Sequence, residues 1–371
     1  MPKTSKSREI TLNHITKIEG HAKLALGIEN GKVTKCELGS TEGARYFEGL
    51  VKGRQFYEAH EMTSRICGIC SSAHVVAALM SVENAIGFKP SEQTKQLRVL
   101  LTLGERIRSH ATHLYFLALP DYMGYESALA MAKKFKPQLM DALTLMKAGN
   151  QVIKTLAARD LHPVSASPGG WLKLPTKEAL LALRDQLKGT IDAADRTAKL
   201  FSSLKYPEFQ SDAKWFSLKN PDEYAVLYGD IVSEDLTFKE EQYLDFIKEH
   251  HEEYSSANFV VRADKRYFVG ALARFNNNSK QLRPRAAKLL KASPLKLPSR
   301  NPYLQNIAQA VELMHASNTQ LRYARRLSQR KKNMNVLNHR QEMELQRLKC
   351  QGARYGTSTL LMKMGLLLLR T

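Results

Sequence analysis

The pattern of apolar and polar positions divides the chain into a short β portion followed by long helices. Ile10-Thr11-Leu12 and the run from Ala22 to Ile28 alternate with the period of two that a half-buried strand requires. Glu29-Asn30-Gly31 then offers a tight hairpin turn into Lys32 to Leu38. Gly43 to His60 is studded with polar residues but carries Phe47, Leu50 and Val51 at helical spacing, which predicts a helix. The apolar segment from Val75 to Ile86 predicts another, starting near Cys70 and ended by Gly87 and Pro90. Ser91 can cap the next, in which Leu97, Leu100, Leu101, Leu103, Ile107, Ala111 and Leu114 recur at threes and fours until Pro120 stops it. Leu180, Leu183, Leu187, Ile191 and Ala194 set a helical period across Thr176 to Leu204. Tyr206 to Phe238 reads as short strands and loops, Lys239 to His250 as a charged helix, and Phe259 to Phe268 as strand. Asn301-Pro302 opens a final helix through Leu304, Ile307, Ala308, Val311 and Leu313 to Ala316. No internal repeat or linker interrupts the pattern. Residues 1–316 are therefore expected to form one interlocked α+β unit, predominantly α, with 317–371 a poorly packed basic tail.

Composition narrows the class. With 371 residues, 43% of them hydrophobic, the chain can bury a sizeable core. A net charge of +20 would ordinarily point to nucleic acid. Its distribution argues otherwise, because residues 317–371 hold twelve Lys and Arg against only Glu342 and Glu344, half of the net charge. No nucleic-acid partner is expected from the remainder. No run is long enough to cross a bilayer, the start from Met1 to Glu9 lacks the apolar block of a secretory signal, and four cysteines do not make a disulfide framework. A cytoplasmic location is the expectation.

The stretch richest in chemistry is Arg65-Ile66-Cys67-Gly68-Ile69-Cys70-Ser71-Ser72-Ala73-His74. Two thiols separated by two residues can close on one metal ion or on each other. A helix starting at the second would favour its thiolate through the dipole. Half of a tetrathiolate zinc site, a redox dithiol, two thiols of a transition-metal centre, and two buried structural cysteines all fit that spacing. His110 and His113 share a helical face at ligand-like spacing, though such pairs more often serve as neighbours of a site or as core groups. By composition alone, Glu19 would be a surface carboxylate and Cys36 a small core residue.

Several ordered motifs carry a resemblance that is far more specific. The Arg65-x-Cys67-x-x-Cys70-x-x-x-His74 run is preceded by Ile18-Glu19-Gly20-His21 and by Glu48-Gly49-Leu50-Val51-Lys52-Gly53-Arg54. It is followed by the stretch from His110 to Asp121, by His162-Pro163 with Pro168-Gly169-Gly170, by Val269 to Asn276, and by Val311 to Ala316. Over roughly residues 8 to 316 the chain resembles the large subunit of nickel-iron hydrogenases, in particular the cytoplasmic, cofactor-linked branch that includes sulfhydrogenases.

The resemblance implies the large-subunit fold, with an N-terminal β portion and a bundle of long helices, and the reversible oxidation of dihydrogen to protons and electrons. It implies a nickel and an iron held by four thiolates, with carbon monoxide and cyanide on the iron; soft thiolates suit such metals. Cys67 resembles a terminal nickel ligand and Cys70 a bridging one. Glu19 resembles the carboxylate that takes the proton away, and Glu48 a ligand of a separate magnesium or iron ion. Asp121 resembles a carboxylate above the iron, and His74 a hydrogen-bonding neighbour of the bridging sulfur. Electrons would leave through an iron-sulfur small subunit, with diaphorase-type electron-transfer subunits as further partners.

The sequence departs from the family after Ala316. The family's second Cys-x-x-Cys and its Pro-Arg-Gly element are absent, and Cys350 stands alone. The expectation is a tail read one base out of frame, or truncated, leaving an inactive form of the enzyme. Two other readings remain. One is a metal-free electron-transfer scaffold of respiratory-complex type, which the retained Cys67 and Cys70 argue against. The other is a dithiol oxidoreductase, which would need a strand before Cys67 where a helix is expected.

Overall fold

The computed structural model describes residues 7–43, 46–262 and 265–328. The chain opens with the expected sheet: β1 (Ser7–Leu12), β2 (Ala22–Glu29) and β3 (Lys32–Ser40) pair antiparallel in that order. Asn30 and Gly31, both with positive φ, make the hairpin turn between β2 and β3. The sheet is mostly exposed. Cys36 accordingly lies on its exposed surface rather than in a core, because a period-2 pattern says that a strand has two faces and not which face finds a covering layer.

The predicted helix from Gly43 to His60 is broken. α1 (Tyr46–Val51) ends before Gly53, whose φ of +74° no continuing helix tolerates, and the chain resumes as a 3₁₀ turn and then α2 (Ala59–Thr63). α3 (Ser71–Ala85) and α4 (Glu92–Thr112) follow as expected, with the Ser91 hydroxyl accepting the Thr94 N–H as cap. Pro120 does not stop the helical path. α4 widens into a π-helical turn over His113–Ala118 and continues as α5 (Leu119–Tyr122), where Pro120 takes an early position that needs no N–H.

After α6 (Ala128–Met131) comes α7 (Lys136–Ala157), a helix that the apolar pattern did not predict. The hairpin of β4 (Ala166–Ser167) and β5 (Gly170–Trp171) forms around the Pro168-Gly169 turn. The Thr176–Leu204 prediction resolves into α8 (Lys177–Lys188) and α9 (Thr190–Ser203), divided at Gly189. β6 (Lys214–Trp215), β7 (Ser217–Lys219), β8 (Asp230–Val232) and β9 (Thr237–Phe238) follow, and the charged helix expected at Lys239–His250 shrinks to α10 (Tyr243–Phe246). Its last residues become β10 (Lys248–His250), paired with β11 (Phe259–Val261); cross-strand pairing overrides local helix propensity there. β12 (Tyr267–Phe268) lies parallel to β6. α11 (Ala271–Asn278), α12 (Pro284–Ala292) and α13 (Gln305–Ser328) complete the described residues. α13 passes Ala316 without a break and buries Ser317, Thr319, Gln320, Ala324 and Leu327. The expected tail boundary is therefore no structural boundary for 317–328, and the rest of that tail lies outside the described residues.

The core is one large apolar cluster contributed by α3, α4, α7, α8, α9, α11 and α13, with a smaller one under β7–β9. α4 and α7 approach closely because Gly104 faces Gly149. A Cβ on Gly149 would lie 2.6 Å from the Gly104 carbonyl oxygen and 2.9 Å from the Arg108 amide nitrogen. Alanine there would gain about 1 kcal/mol of helix propensity and lose more to a backbone clash that cannot relax without parting the helices.

Four charged or polar side chains meet inside this core at Glu312. Its oxygens accept from Arg274 Nε and Nη2, each at 2.7 Å, from His110 at 2.6 Å and from the Tyr224 hydroxyl, with Arg106 3.7 Å away. Burial pushes the Glu312 carboxyl up, but Arg274 and Arg106 outweigh it and hold the group well below the usual carboxylate range. His110, by contrast, is kept neutral: burial lowers it to about 4 in spite of Glu312. Burial likewise lowers His60 to about 4 and His315 to about 3.

These shifts fix the sign of the acid response. Below pH 6.5 the unfolded chain takes up protons on five histidines that the folded chain refuses, these three together with His74 and His113, so their stabilisation is complete above that pH and lost towards pH 4. Glu105, raised to about 7, and Glu223, also raised by burial, work the other way but are outnumbered. The midpoint of thermal unfolding should fall by roughly 5 °C or more between pH 7 and pH 5, and calorimetry across that range checks it.

Candidate metal centre

Helix α3 is buried along almost its whole length, yet its N-terminus emerges at Cys70, the residue that caps it. Cys67 leaves the 3₁₀ turn Ser64–Ile66 in extended conformation, and the two half-buried cysteines face each other with Cα atoms 5.4 Å apart and their sulfurs joined as a disulfide. The Cys70 N–H also points to Cys67 Sγ at 3.1 Å. This Cα spacing lets the same pair close on one another when oxidised or on a shared ion when reduced.

A loop from the sheet brings the predicted carboxylate to the sulfur. Glu19 Oε1 lies 3.6 Å from Cys67 Sγ. The loop turns at Lys17 and Gly20, both with positive φ, and a Cβ on Gly20 would come within 2.9 Å of the Glu42 carboxylate. Two residues before Glu19, the Lys17 ammonium pairs with Asp121 at the end of the α4 path, which brings the predicted Asp121 to the same strip of surface. The Asp121 side chain is 64% exposed, so the pair positions more than it stabilises.

His74 sits one turn into α3. Its N–H reaches the Cys70 carbonyl at 3.3 Å and its own carbonyl faces the Thr63 hydroxyl at 3.5 Å, while burial lowers the imidazole to about 4 and keeps it uncharged. Glu48 stands half-buried on α1, which packs on α2, which packs in turn on α3. The structure thus places Glu19 beside Cys67, ties Asp121 to the Glu19 loop through Lys17, sets His74 one turn behind Cys70, and leaves Glu48 on a separate helix.

Sequence reading missed the groups that hold the cysteine loop. Glu105 on α4 accepts the Ser72 N–H at 2.6 Å and the Ala73 N–H at 3.0 Å. Arg108 donates to the Ile69 carbonyl at 2.5 Å, to Asn150 Oδ1 at 3.1 Å and to the Asp160 carbonyl at 2.7 Å. The His162 N–H bonds the Ser71 hydroxyl at 3.0 Å, and its imidazole Nδ1 meets the Ser64 carbonyl at 2.8 Å. A signal existed: Arg98, Glu105, Arg106 and Arg108 interrupt the apolar run from Leu97 to Leu114 with charges.

Comparison with known proteins decides the family. A profile described as nickel-dependent hydrogenase matches residues 45–175. The alpha chain of sulfhydrogenase 1 from Pyrococcus furiosus is 36% identical over 309 residues, covering 82% of this chain and 72% of that one. The chain belongs to the nickel-dependent hydrogenase family. The alpha chain of sulfhydrogenase 2 from the same organism is 33% identical, over 83% of this chain and 72% of the relative. Among solved structures, an NAD+-reducing [NiFe]-hydrogenase in the H2-reduced state superposes with a TM-score of 0.77 at 22% identity, covering 86% of this chain and 78% of the other. The Ni-Fe-Se hydrogenase of D. vulgaris Hildenborough gives 0.74 at 22% identity, covering 90% and 81%. At that identity the two structures speak for the fold.

For a nickel-dependent hydrogenase the donor set described here is incomplete. Cys67 and Cys70 supply two sulfurs; Cys36 is on the exposed sheet, and Cys350 lies outside the described residues. Among the described residues no three His, Cys, Asp or Glu side chains converge as a metal-binding group. Two sulfurs and one carboxylate do not fit a closed two-metal centre. Nor is any helix of the described residues long and apolar enough to cross a membrane.

The geometry sets a thiol count. With Cys67 and Cys70 oxidised, two of the four cysteines should react with Ellman's reagent in denaturant without reductant, and Cys67→Ala should raise the count to three. An unchanged count in the variant would contradict the pairing.

Proposed function

We propose that this chain is the hydrogen-handling large subunit of a cytoplasmic nickel-iron hydrogenase, carrying only the N-terminal half of the metal-binding site. The observation that carries the reading is the Glu19 carboxylate 3.6 Å from the Cys67 sulfur, a proton acceptor beside a donor sulfur, reached from a loop far away in sequence. In this reading Cys67 and Cys70 are two of four thiolate ligands of a nickel-iron centre whose iron carries carbon monoxide and cyanide. Such a centre, when complete, supplies the splitting of dihydrogen. The chain's own residues do the rest. With the pair reduced, Glu19 exchanges a proton with the Cys67 thiol and passes it outward. Lys17 fixes Asp121 at the rim, His74 supports the cysteine turn as a neutral group, and Glu48 serves a separate magnesium or iron ion. An iron-sulfur small subunit takes the electrons.

With half of the ligand set, this sequence is catalytically silent. Removing ligands from a metal site removes the metal rather than merely weakening the chemistry. The chain co-purified with its iron-sulfur small partner should hold well under one nickel per chain and should catalyse no exchange between dihydrogen and deuterated water. One nickel and one iron per chain together with exchange would overturn the silent reading; stoichiometric zinc without small-subunit binding would overturn the hydrogenase reading.

The out-of-frame reading of the residues after Ala316 rests on the ordered family motifs, the last of which runs from Val311 to Ala316. Sequencing the gene should show an adjacent frame past codon 316 that encodes a second Cys-x-x-Cys; a stop codon or an unrelated string in that frame rules the idea out.

A further inference from the structure

The two buried charges of α4 that face the cysteine loop stand out from ordinary helix packing. Glu105 is enclosed in the core, and its two oxygens are each committed to one first-turn amide of α3, those of Ser72 and Ala73. Arg108, one turn on, spans three elements: the Ile69 carbonyl inside the Cys67–Cys70 loop, Asn150 on α7, and the Asp160 carbonyl beyond it. Glu105 and Arg108 also approach each other to 3.7 Å.

The contacts to Ile69, Ser72 and Ala73 grip backbone near the two cysteines without touching the sulfurs. The loop is half-exposed, and its other tethers to the core are the His162 contacts with Ser71 and Ser64 at its two ends. Gly149 and Gly104 let α7 lie against α4, which brings Asn150 and Asp160 to the same guanidinium. On either side of Asp160 the chain is held in strained backbone, with Ala158 at φ +68° and His162 at φ +50°, and from there His162 takes hold of Ser71 and Ser64. A helix cap would need Glu105 alone. The guanidinium on the Ile69 carbonyl is spent on the geometry between the two cysteines.

We propose that Glu105 and Arg108 are positioning residues that preset the distance between the Cys67 and Cys70 sulfurs, with or without metal. The assignment deepens the reading of that pair as half of a metal donor set and rests on it. What the pair would lose without the clamp is its effective concentration, because a freed loop samples conformations in which the sulfurs part.

The test is the equilibrium between the Cys67–Cys70 dithiol and glutathione in the full chain, read by acid trapping and mass spectrometry of the peptide that contains both cysteines. It is run well below each variant's unfolding temperature. Arg108→Met and Glu105→Gln should each lower the effective concentration of the pair about tenfold or more, the equivalent of one charge-assisted hydrogen bond. Arg108→Lys, which keeps a single donor, should recover part of the loss. Arg98→Met is the control, since it breaks a buried charge pair with Glu83 at the far end of α3 and should destabilise the fold without changing the glutathione equilibrium. The proposal is overturned if the Arg98 variant shifts that equilibrium as much as the Arg108 variant, or if neither clamp variant shifts it; should Arg108→Met not fold, Glu105→Gln and Arg108→Lys decide. Cobalt(II) added to the reduced wild-type chain tests the underlying reading separately. An absent thiolate-to-cobalt absorption band would defeat the donor-set reading while leaving the glutathione result standing.

Discussion

The arrangement depends on one constraint: helix α3 is surrounded by protein, so the amides of its first turn have no water to meet and must be answered from inside. Glu105 answers them. The cost of placing a carboxylate there shows in its ionisation, since burial lifts it to about 7 against the pull of Arg108 and the two amides. Further along α3, Glu83 takes both nitrogens of Arg98 and the Gly169 N–H, which anchors the Pro168-Gly169 turn to the same helix. The helix that presents Cys70 is therefore fixed near both ends by charges belonging to the core rather than by its own surface.

Glu312 does for the far side of the molecule what Glu105 does for the cysteine side. It joins α4, α11 and α13 through Arg106, His110 and Arg274, with the Tyr224 hydroxyl closing the set. A buried ionic cluster of this kind need not exceed an apolar core in stability. It penalises loss of any one partner by about 3–5 kcal/mol, because the remaining charge is stranded. The motifs Val269–Asn276 and Val311–Ala316, separated in sequence, thus owe their common importance to one carboxylate.

The site that this framework presents is open and half furnished. Its sulfurs, the Glu19 carboxylate and the Lys17–Asp121 pair line an exposed strip rather than a closed cavity. A dry, shaped pocket strengthens electrostatic and ligand-field control alike. The described residues provide two sulfurs and one carboxylate there, short of what a closed two-metal centre needs.

What the sequence determined by itself was local or motif-borne. The hairpin followed from Glu29-Asn30-Gly31, α3 and α4 from unbroken apolar periodicity and a Ser91 cap, and the pairing of Glu19 with the cysteines from ordered motifs shared with a family. The sequence also marked Ala316 as the point where those motifs stop, although α13 runs past it. Tertiary structure alone decided the rest. The Gly43–His60 helix broke at Gly53, the Lys239–His250 helix gave way to pairing with β11, and Cys36 ended on an uncovered face. Only the packed helices showed that Glu105, Arg108 and Glu312 are internal. The physical reason is the same in each case: periodicity reports which face of an element is apolar, whereas the partner of a buried charge, the cover of a sheet face and the fate of a weak helix depend on what comes to lie against them.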